Sequence, residues 1–274
     1  MRMVLLTLCF SVVFSSQQTA SAQMQYPLSA AAAESGAIYV ADRYLPGVWK
    51  IEDGKLAAFF EGSKKYRTPL NAVRCVVMDR SGALITGDTA TREVYRFDPS
   101  GQPVPLTDGG IGTPMSVAVN SKGELLVADL ELHRLWRVPA AGGQPEHVAD
   151  VQAPRGVVCD ADDNAWVVSQ GGKDQVVRVT PDGKVETVVA GRPFAFPHNI
   201  VLAADKTAYV TDGHGKTVWK IPPGGKPEQW VSGDPLINPV GLAWHQQNLL
   251  VVDPHAKAVF ELSLDGKLRK LPAQ

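Results

Sequence analysis

The chain has 274 residues, in which 27 lysines and arginines nearly balance 28 aspartates and glutamates. Its formal net charge of −1 at pH 7 lacks the basic excess that is typical of nucleic-acid or anionic-membrane binders, so we expect neither kind of partner. The 25 glycines and 20 prolines place turn signals all along the chain, which favours many short strands over long helices.

Residues 1–22 have the pattern of a cleaved secretory signal peptide. Arg2 supplies the positive charge, residues 4–14 form a short apolar run, and Ala20-Ser21-Ala22 is a small-residue cleavage site. We therefore expect an exported protein, periplasmic or extracellular, whose mature chain begins near Gln23. No later segment is apolar and long enough to predict a membrane span.

A repeat organises the rest of the chain. Six apolar runs similar to Tyr-Val-Ala-Asp recur at intervals of roughly 40 to 46 residues, the length of one four-stranded propeller blade. These runs end at Asp42, Asp88, Asp129, Ser169, Asp212 and Asp253. Repetition at one address indicates that the aspartates are structural and accept hydrogen bonds from the loop that follows.

Each repeat predicts four strands, A to D, and strand B ends at the position just described. Strand A is predicted to begin at Pro27, Val73, Pro114, Pro154, Pro197 and Asn238. Strand C is predicted at 48–51, 94–97, 135–138, 176–179, 218–221 and 259–262. A glycine turn into strand D follows at Gly54, Gly101, Gly143, Gly183, Gly225 and Gly266.

These repeats predict an all-β fold, in which residues 23–274 form a single six-bladed β-propeller of four-stranded antiparallel blades. The last strand D, at 268–271, completes the sixth repeat, so we expect the ring to close by packing of blade 1 on blade 6. Cys75 and Cys159 fall in blades 2 and 4, too far apart for a disulfide, which needs Cα atoms within about 7 Å.

The segment Val-Ala-Asp-Leu-Glu-Leu-His-Arg-Leu, at 127–135, resembles the signature of NHL repeats. The resemblance extends through the six repeats and implies a six-bladed propeller. Propellers of this kind host many functions, so the resemblance predicts the fold and leaves the activity open.

A candidate ligand site lies where the inner strands begin. The residue after the first position of strand A is Arg74, Arg155 or His198 in blades 2, 4 and 5, and Ser116 and Asn199 come one residue later in blades 3 and 5. Guanidinium groups suit carboxylate or phosphate, so we predict an anion-binding rim. The alternative is that both arginines pair with aspartates of adjacent blades. Loops after strand B add Arg43, Tyr44, His133, His214 and His255 to this face.

Blade 5, with Pro-His-Asn-Ile-Val at 197–201, resembles a blade of the peptidylglycine amidating lyases. In that family, histidines of several blades converge on zinc. Only His198 matches the pattern here, and a catalytic zinc normally needs three protein ligands, so we predict no zinc site. We interpret His133 and His214 as residues that pack within their loops.

A further resemblance is to the gluconolactonase and senescence-marker-protein propellers. That family holds a divalent metal with a glutamate of the first inner strand and with Asn and Asp of later blades. The first inner strand here reads Ser29 to Ala33 and supplies no such glutamate; Glu34 belongs to the opposite hairpin, while Asn199 is one position out of register.

The sequence therefore favours an exported, non-catalytic monomer that needs no cofactor or metal and binds a small anion or a protein partner. The alternative is a metal-dependent hydrolase or lyase of the gluconolactonase or amidating-lyase type. The identity of the ligand, and whether the protein is an enzyme, remain open at this stage.

Overall fold

The computed structural model describes residues 23–65 and 67–272. The predicted signal peptide, residues 1–22, lies outside the described residues. Every regular element within them is a β-strand, as the glycine and proline pattern predicts. No helix in this part of the chain is long and apolar enough to cross a membrane.

The strands form six antiparallel sheets, and each sheet contains four strands that are consecutive in the chain. Blades 1 and 2 comprise β1 (Pro27–Ala32), β2 (Ile38–Asp42), β3 (Gly47–Glu52), β4 (Lys55–Glu61), β5 (Val73–Met78), β6 (Leu84–Asp88), β7 (Glu93–Phe97) and β8 (Pro103–Pro105). Blades 3 and 4 comprise β9 (Pro114–Val119), β10 (Leu125–Asp129), β11 (Arg134–Val138), β12 (Glu146–Asp150), β13 (Pro154–Cys159), β14 (Ala165–Ser169), β15 (Val176–Val179) and β16 (Val185–Val189). Blades 5 and 6 comprise β17 (Pro197–Leu202), β18 (Ala208–Asp212), β19 (Thr217–Ile221), β20 (Glu228–Ser232), β21 (Gly241–His245), β22 (Asn248–Asp253), β23 (Ala258–Leu262) and β24 (Leu268–Leu271).

These bounds confirm the six-bladed propeller, including the end of every strand B. Two local predictions are wrong. The inner strand of blade 6 begins at Gly241 rather than at Asn238, because the Asn238 N–H donates to the Asp253 carboxylate at 2.8 Å and holds that residue in the preceding loop. In blade 5 the left-handed turn residue is Gly224, with φ of 68°, and Gly225 follows it in an ordinary conformation.

The inner strands pack side by side around a central axis, and the ring closes where β1 contacts β21 and β22. Apolar side chains fill the spaces between blades. At the closure, Val40 of blade 1 and Leu250 and Val252 of blade 6 are fully buried in one cluster. Packing alone therefore joins the first blade to the last, as the complete repeats predict.

The aspartate that ends strand B is a structural anchor. Asp212 is almost fully buried, and its carboxylate accepts hydrogen bonds from the N–H groups of Phe196 (2.7 Å) and Gly215 (3.0 Å) and from the Trp219 indole (3.3 Å). The loop after strand B is held as predicted. The loop before strand A is held as well, which the sequence pattern did not indicate. The corresponding carboxylates in the other blades, at Asp42, Asp88, Asp129 and Asp253, are buried and bonded to backbone N–H groups in the same way.

Candidate functional site

The six inner strands surround a channel with three successive parts. The mouth is a cavity of about 520 Å³ at the end where strands A begin, lined by Tyr26, Arg43, Arg74, Phe196, His198 and Lys216 among others. The neck is a constriction of about 20 Å³ just inside it, lined by Arg74, Met115, Ser116, Arg155, His198 and Asn199 among others. The far channel, of about 310 Å³, continues towards the opposite face and is lined mainly by alanine, valine and cysteine side chains.

The three residues predicted to share a rim do come together at the neck. Arg74, Arg155 and His198 all line this constriction. Burial, together with the charge of Arg155, lowers the pKa of Arg74 to about 10. Since about 10 is still well above neutral pH, both guanidinium groups remain charged while they face each other across a narrow space.

Arg155 is oriented by an amide and an aromatic ring rather than by an acid. Its Nε donates to the Gln170 side-chain oxygen at 2.7 Å, and Gln170 in turn donates to the Pro197 carbonyl at 2.7 Å. The guanidinium carbon lies 5.8 Å from the centroid of the Phe196 ring, within range of a cation–π interaction. Arg155 is therefore held in place while its charge stays uncompensated.

Arg74 makes no hydrogen bond and no ion pair with any of residues 23–65 and 67–272. It is half-buried, and its side chain ends in the open space of the mouth and neck. The alternative interpretation, that both arginines pair with aspartates of adjacent blades, is therefore not realised. Those aspartates are already engaged by the backbone of their own blades.

His198 is held as a neutral imidazole. Its pKa falls to about 3, mainly because of burial and also because of the nearby charges of Arg74 and Arg155. The ring packs edge-on against Phe196, with centroids 4.9 Å apart. The His214 ring also packs on Phe196, nearly parallel to it, with ring centroids 4.5 Å apart. His198 therefore offers one N–H donor and one acceptor rather than a positive charge.

Ser116 and Asn199, the other predicted ligand residues, lie deeper in the neck and already serve the fold. The Ser116 hydroxyl accepts a hydrogen bond from the Val157 N–H at 3.3 Å, and the Asn199 side-chain oxygen accepts one from the Ile200 N–H at 2.8 Å. The missing side chain of Gly156 leaves no space for a ligand, because a Cβ there would lie 2.6 Å from the Cα of Asn199. Glycine is required at this position by the close approach of blades 4 and 5.

The loops contribute to the mouth more selectively than the sequence predicts. Arg43, His214 and His255 line it, whereas Tyr44 packs edge-on against Tyr26 with centroids 5.6 Å apart. His133 is absent from the lining, and its ring accepts a hydrogen bond from the Ala153 N–H, so it packs within its loop region as predicted. His214 does more than pack within its loop, since it is exposed in the mouth.

Five site residues escaped the sequence reasoning. Tyr26, Phe196 and Asn238 belong to the loops before strands A, and Gln170 and Lys216 to the loops after strands B. Of these five, Phe196 could have been found from the sequence, because it immediately precedes the Pro-His pair of blade 5. The remainder depend on loop conformation, such as the left-handed φ of 50° at Lys216.

The residues present do not fit the divalent metal of the gluconolactonase type. In the described residues no three His, Cys, Asp or Glu side chains lie together closely enough to hold a metal ion. Strand β1 contributes Ser29 and alanines to the channel, and Glu34 is exposed in the hairpin that follows. Two guanidinium groups stand at the neck, where their charge would repel a cation.

Comparison with known proteins identifies one matching family and several solved structures that share the fold. The profile of the family described as the SMP-30/gluconolactonase/LRE-like region matches residues 9–214, well over half of the chain. Among curated protein sequences, none matches the chain significantly.

Solved structures of very different sequence share the propeller. A gluconolactonase from Xanthomonas campestris superposes with a TM-score of 0.74 at 15% identity, covering 90% of this chain and 87% of the other. A virginiamycin B lyase from Staphylococcus aureus gives 0.69 at 15% identity, covering 91% and 85%. A chain of a nidogen/laminin complex gives 0.71 at 16% identity, covering 89% and 92%. At such low identity these likenesses show the fold alone.

Proposed function

The chain belongs to the SMP-30/gluconolactonase/LRE-like family, and we propose that it uses the neck of its channel to bind a small organic anion instead of a divalent metal. One observation carries the proposal: the guanidinium groups of Arg74 and Arg155 face one constriction, and no carboxylate among its described lining residues compensates them. A carboxylate or phosphate group is the natural partner of such a pair.

The energetics support a ligand rather than a purely structural role. Two like charges in a half-buried neck cost folding free energy, and the lowered pKa of Arg74 reports that cost. An anion between them would offset the repulsion, and each charge-assisted hydrogen bond contributes about 1.5–3 kcal/mol. His198 and Asn238 lie beside the guanidinium groups with uncharged polar groups that could bond to further oxygens of the same ligand.

The mouth favours a small molecule over a protein partner, because its lining residues form a concave cavity of about 520 Å³. The signal-like residues 1–22 support export to the periplasm or the exterior. We propose a monomer, as expected from the sequence. The NHL resemblance of the repeats is compatible with this function but identifies no ligand.

A second candidate is a hydrolase or lyase, which family membership favours. The site argues against acid–base chemistry by His198, because a conjugate acid with a pKa of about 3 leaves the neutral imidazole a weak base at neutral pH. Lactone hydrolysis at a substantial rate with added Mg²⁺, Ca²⁺, Mn²⁺ or Zn²⁺, abolished by His198→Ala or Asn199→Ala, would establish this candidate and remove the binding proposal.

Isothermal titration calorimetry with the monocarboxylate pentanoate tests the proposed function. Arg74→Ala and Arg155→Ala should each weaken binding by one to two decades, since each removes a charge-assisted contact. Binding should also fall as NaCl rises, because the mouth is open to solvent. Arg134→Gln, a matched control at an exposed arginine outside the mouth, should bind as wild type does. No detectable binding by the folded wild type, or equal binding by all variants, would refute the proposal.

A further inference from the structure

We propose that the ligand of this site carries two anionic groups, one held at the neck by Arg74 and Arg155 and the other in the outer mouth by Arg43 and Lys216. The inference rests on the proposed anion site at the neck and deepens it by specifying the class of ligand. The second anion position is shallower than the neck and is formed by loop residues rather than by the inner strands.

The charge balance of the mouth carries the first step. The described residues that line the mouth and the neck include Arg43, Arg74, Arg155 and Lys216, and no aspartate or glutamate. The whole chain, by contrast, has a net charge of −1. A ligand with a single negative charge would leave most of this local positive charge uncompensated, whereas a dianion would neutralise half of it. A cleft lined by one sign of charge also concentrates ligands of the opposite sign.

The positions of the four cations give two depths. Arg74 and Arg155 are half-buried at the second position of inner strands β5 and β13. Arg43 and Lys216 are exposed, on the loops that follow β2 and β18. Arg43 still lies close enough for its charge to lower the pKa of Arg74. The two pairs therefore belong to one electrostatic site with an inner and an outer end.

The outer cations are also free to bind. Neither Arg43 nor Lys216 makes a side-chain hydrogen bond or an ion pair within the part of the chain that the structure describes. Arg92 occupies the position in blade 2 that Lys216 occupies in blade 5. Unlike Lys216, it has an internal partner, because its guanidinium is paired with Glu131. Cations without internal partners on a concave surface are available to a ligand.

An uncharged aromatic wall also lines the mouth. Tyr26 and Phe196 both line the mouth, and Phe196 is backed by the stacked ring of His214. Such a wall suits the carbon skeleton that would join two acidic groups. The cavity of about 520 Å³ is large enough for a small diacid of this shape.

Calorimetry with two acids of equal chain length tests the inference. We expect the dicarboxylate glutarate to bind about tenfold or more tightly than the monocarboxylate pentanoate, since one further charge-assisted contact forms. A third probe, 4-phosphonobutyrate, matches the chain length of glutarate and carries a phosphonate in place of one carboxylate, so it distinguishes the source of the second charge. Tighter binding than glutarate assigns a phosphate-like group to the outer position, and equal or weaker binding assigns a carboxylate. Equal affinities of glutarate and pentanoate would overturn the inference while leaving the proposed function intact.

A double variant locates the second charge. Arg43→Gln combined with Lys216→Asn should reduce glutarate affinity to the pentanoate level and leave pentanoate affinity nearly unchanged. Asparagine tolerates the left-handed φ of 50° at position 216. The matched control is Lys257→Asn, at the same loop position and φ of 50° in blade 6 but outside the mouth.

The variants also separate this inference from the proposed function. If the folded double variant keeps the full preference for glutarate, the second position is not at Arg43 and Lys216, and the inference is wrong. If wild type binds none of the three probes, the neck is not an anion site and the proposed function fails with it. Circular dichroism of each variant verifies that the propeller has formed.

Discussion

The mouth and the far channel lie along one axis surrounded by the inner strands, yet they have opposite chemistry. The mouth and neck gather guanidinium groups, an ammonium group, imidazoles and two asparagine amides, whereas alanines, valines and two thiols line much of the far channel. Burial raises the pKa of Cys75 and of Cys159 to about 12, so both thiols are protonated and neutral at pH 7. The contrast teaches that the charged side chains lining the axis are concentrated at one end of it.

Neighbouring loops explain why the cations that line the channel are at its mouth and neck. Loops from strand D to strand A and from strand B to strand C reach the mouth, and buried aspartates such as Asp212 fix both kinds. The hairpins at the other face are short turns with glycine at their tips, such as Gly82 and Gly123. Short turns extend few side chains towards the axis, so the far end keeps the apolar character of the strands.

The largest expected effect is on the pH dependence of stability, when a histidine at one end or the other is replaced. The folded-state pKa of His198, about 3, is below the ordinary value of 6.5, so the unfolded chain takes up this proton first as the pH falls. Stability present above pH 6.5 should therefore be lost progressively towards pH 3. The free energy of unfolding, measured with urea, should fall between pH 7 and pH 4.5. We expect His198→Gln to reduce this fall by about 2 kcal/mol.

The control for this prediction is a histidine of the opposite face. His245 lies beside a carboxylate, with Nδ1 3.1 Å from Glu261, rather than beside guanidinium groups. His245→Gln should leave the His198-dependent loss in place. An unchanged pH dependence in His198→Gln would show that its imidazole is not held neutral by the neck.

A smaller effect should appear when one charge is removed from the neck. Arg74→Met deletes one of two uncompensated cations and keeps most of the side-chain volume. We expect the free energy of unfolding to rise by about 1 kcal/mol in the absence of ligand, because solvent in the mouth screens part of the repulsion.

Arg134→Met, at an exposed arginine of blade 3, is the control and should change stability by less than about 0.5 kcal/mol. A clear loss of stability in Arg74→Met would mean that Arg74 supports the fold, which contradicts the proposal that it is kept for binding at a cost in stability.

The smallest effect is expected in the far channel. Cys159→Ser should change pentanoate affinity by less than about twofold, since the proposed anion site ends at the neck and Cys159 lines only the far channel. In the native wild type, a thiol reagent at pH 7 should label Cys75 and Cys159 far more slowly than in urea, because the thiolate is the reactive form and is scarce at a pKa of about 12. Peptide mass spectrometry assigns the label, and fast native labelling at either site would contradict the raised pKa of these thiols.

Periodicity made the fold predictable and made the site predictable only in part. The repeated aspartates and prolines determined the blades, and counting from them placed Arg74, Arg155 and His198 at one address, which the neck confirms. The count could not assign Gln170 as the partner of Arg155, since that contact depends on the conformation of the loop that follows β14 in the same blade. It placed the start of the last inner strand too early, at Asn238, because a backbone hydrogen bond to Asp253 decides where that strand begins.

The closure of the ring by packing makes the blades cyclically equivalent. The inner strand β1 and the outer strand β24 lie in neighbouring blades, so a linker between them would repeat the connection found between every other pair of blades. The chain could then be opened at any other such connection without dividing a sheet. Circular permutants of this propeller have natural boundaries at those loops, while the order of the blades around the axis, and with it the arrangement of the four cations, stays the same.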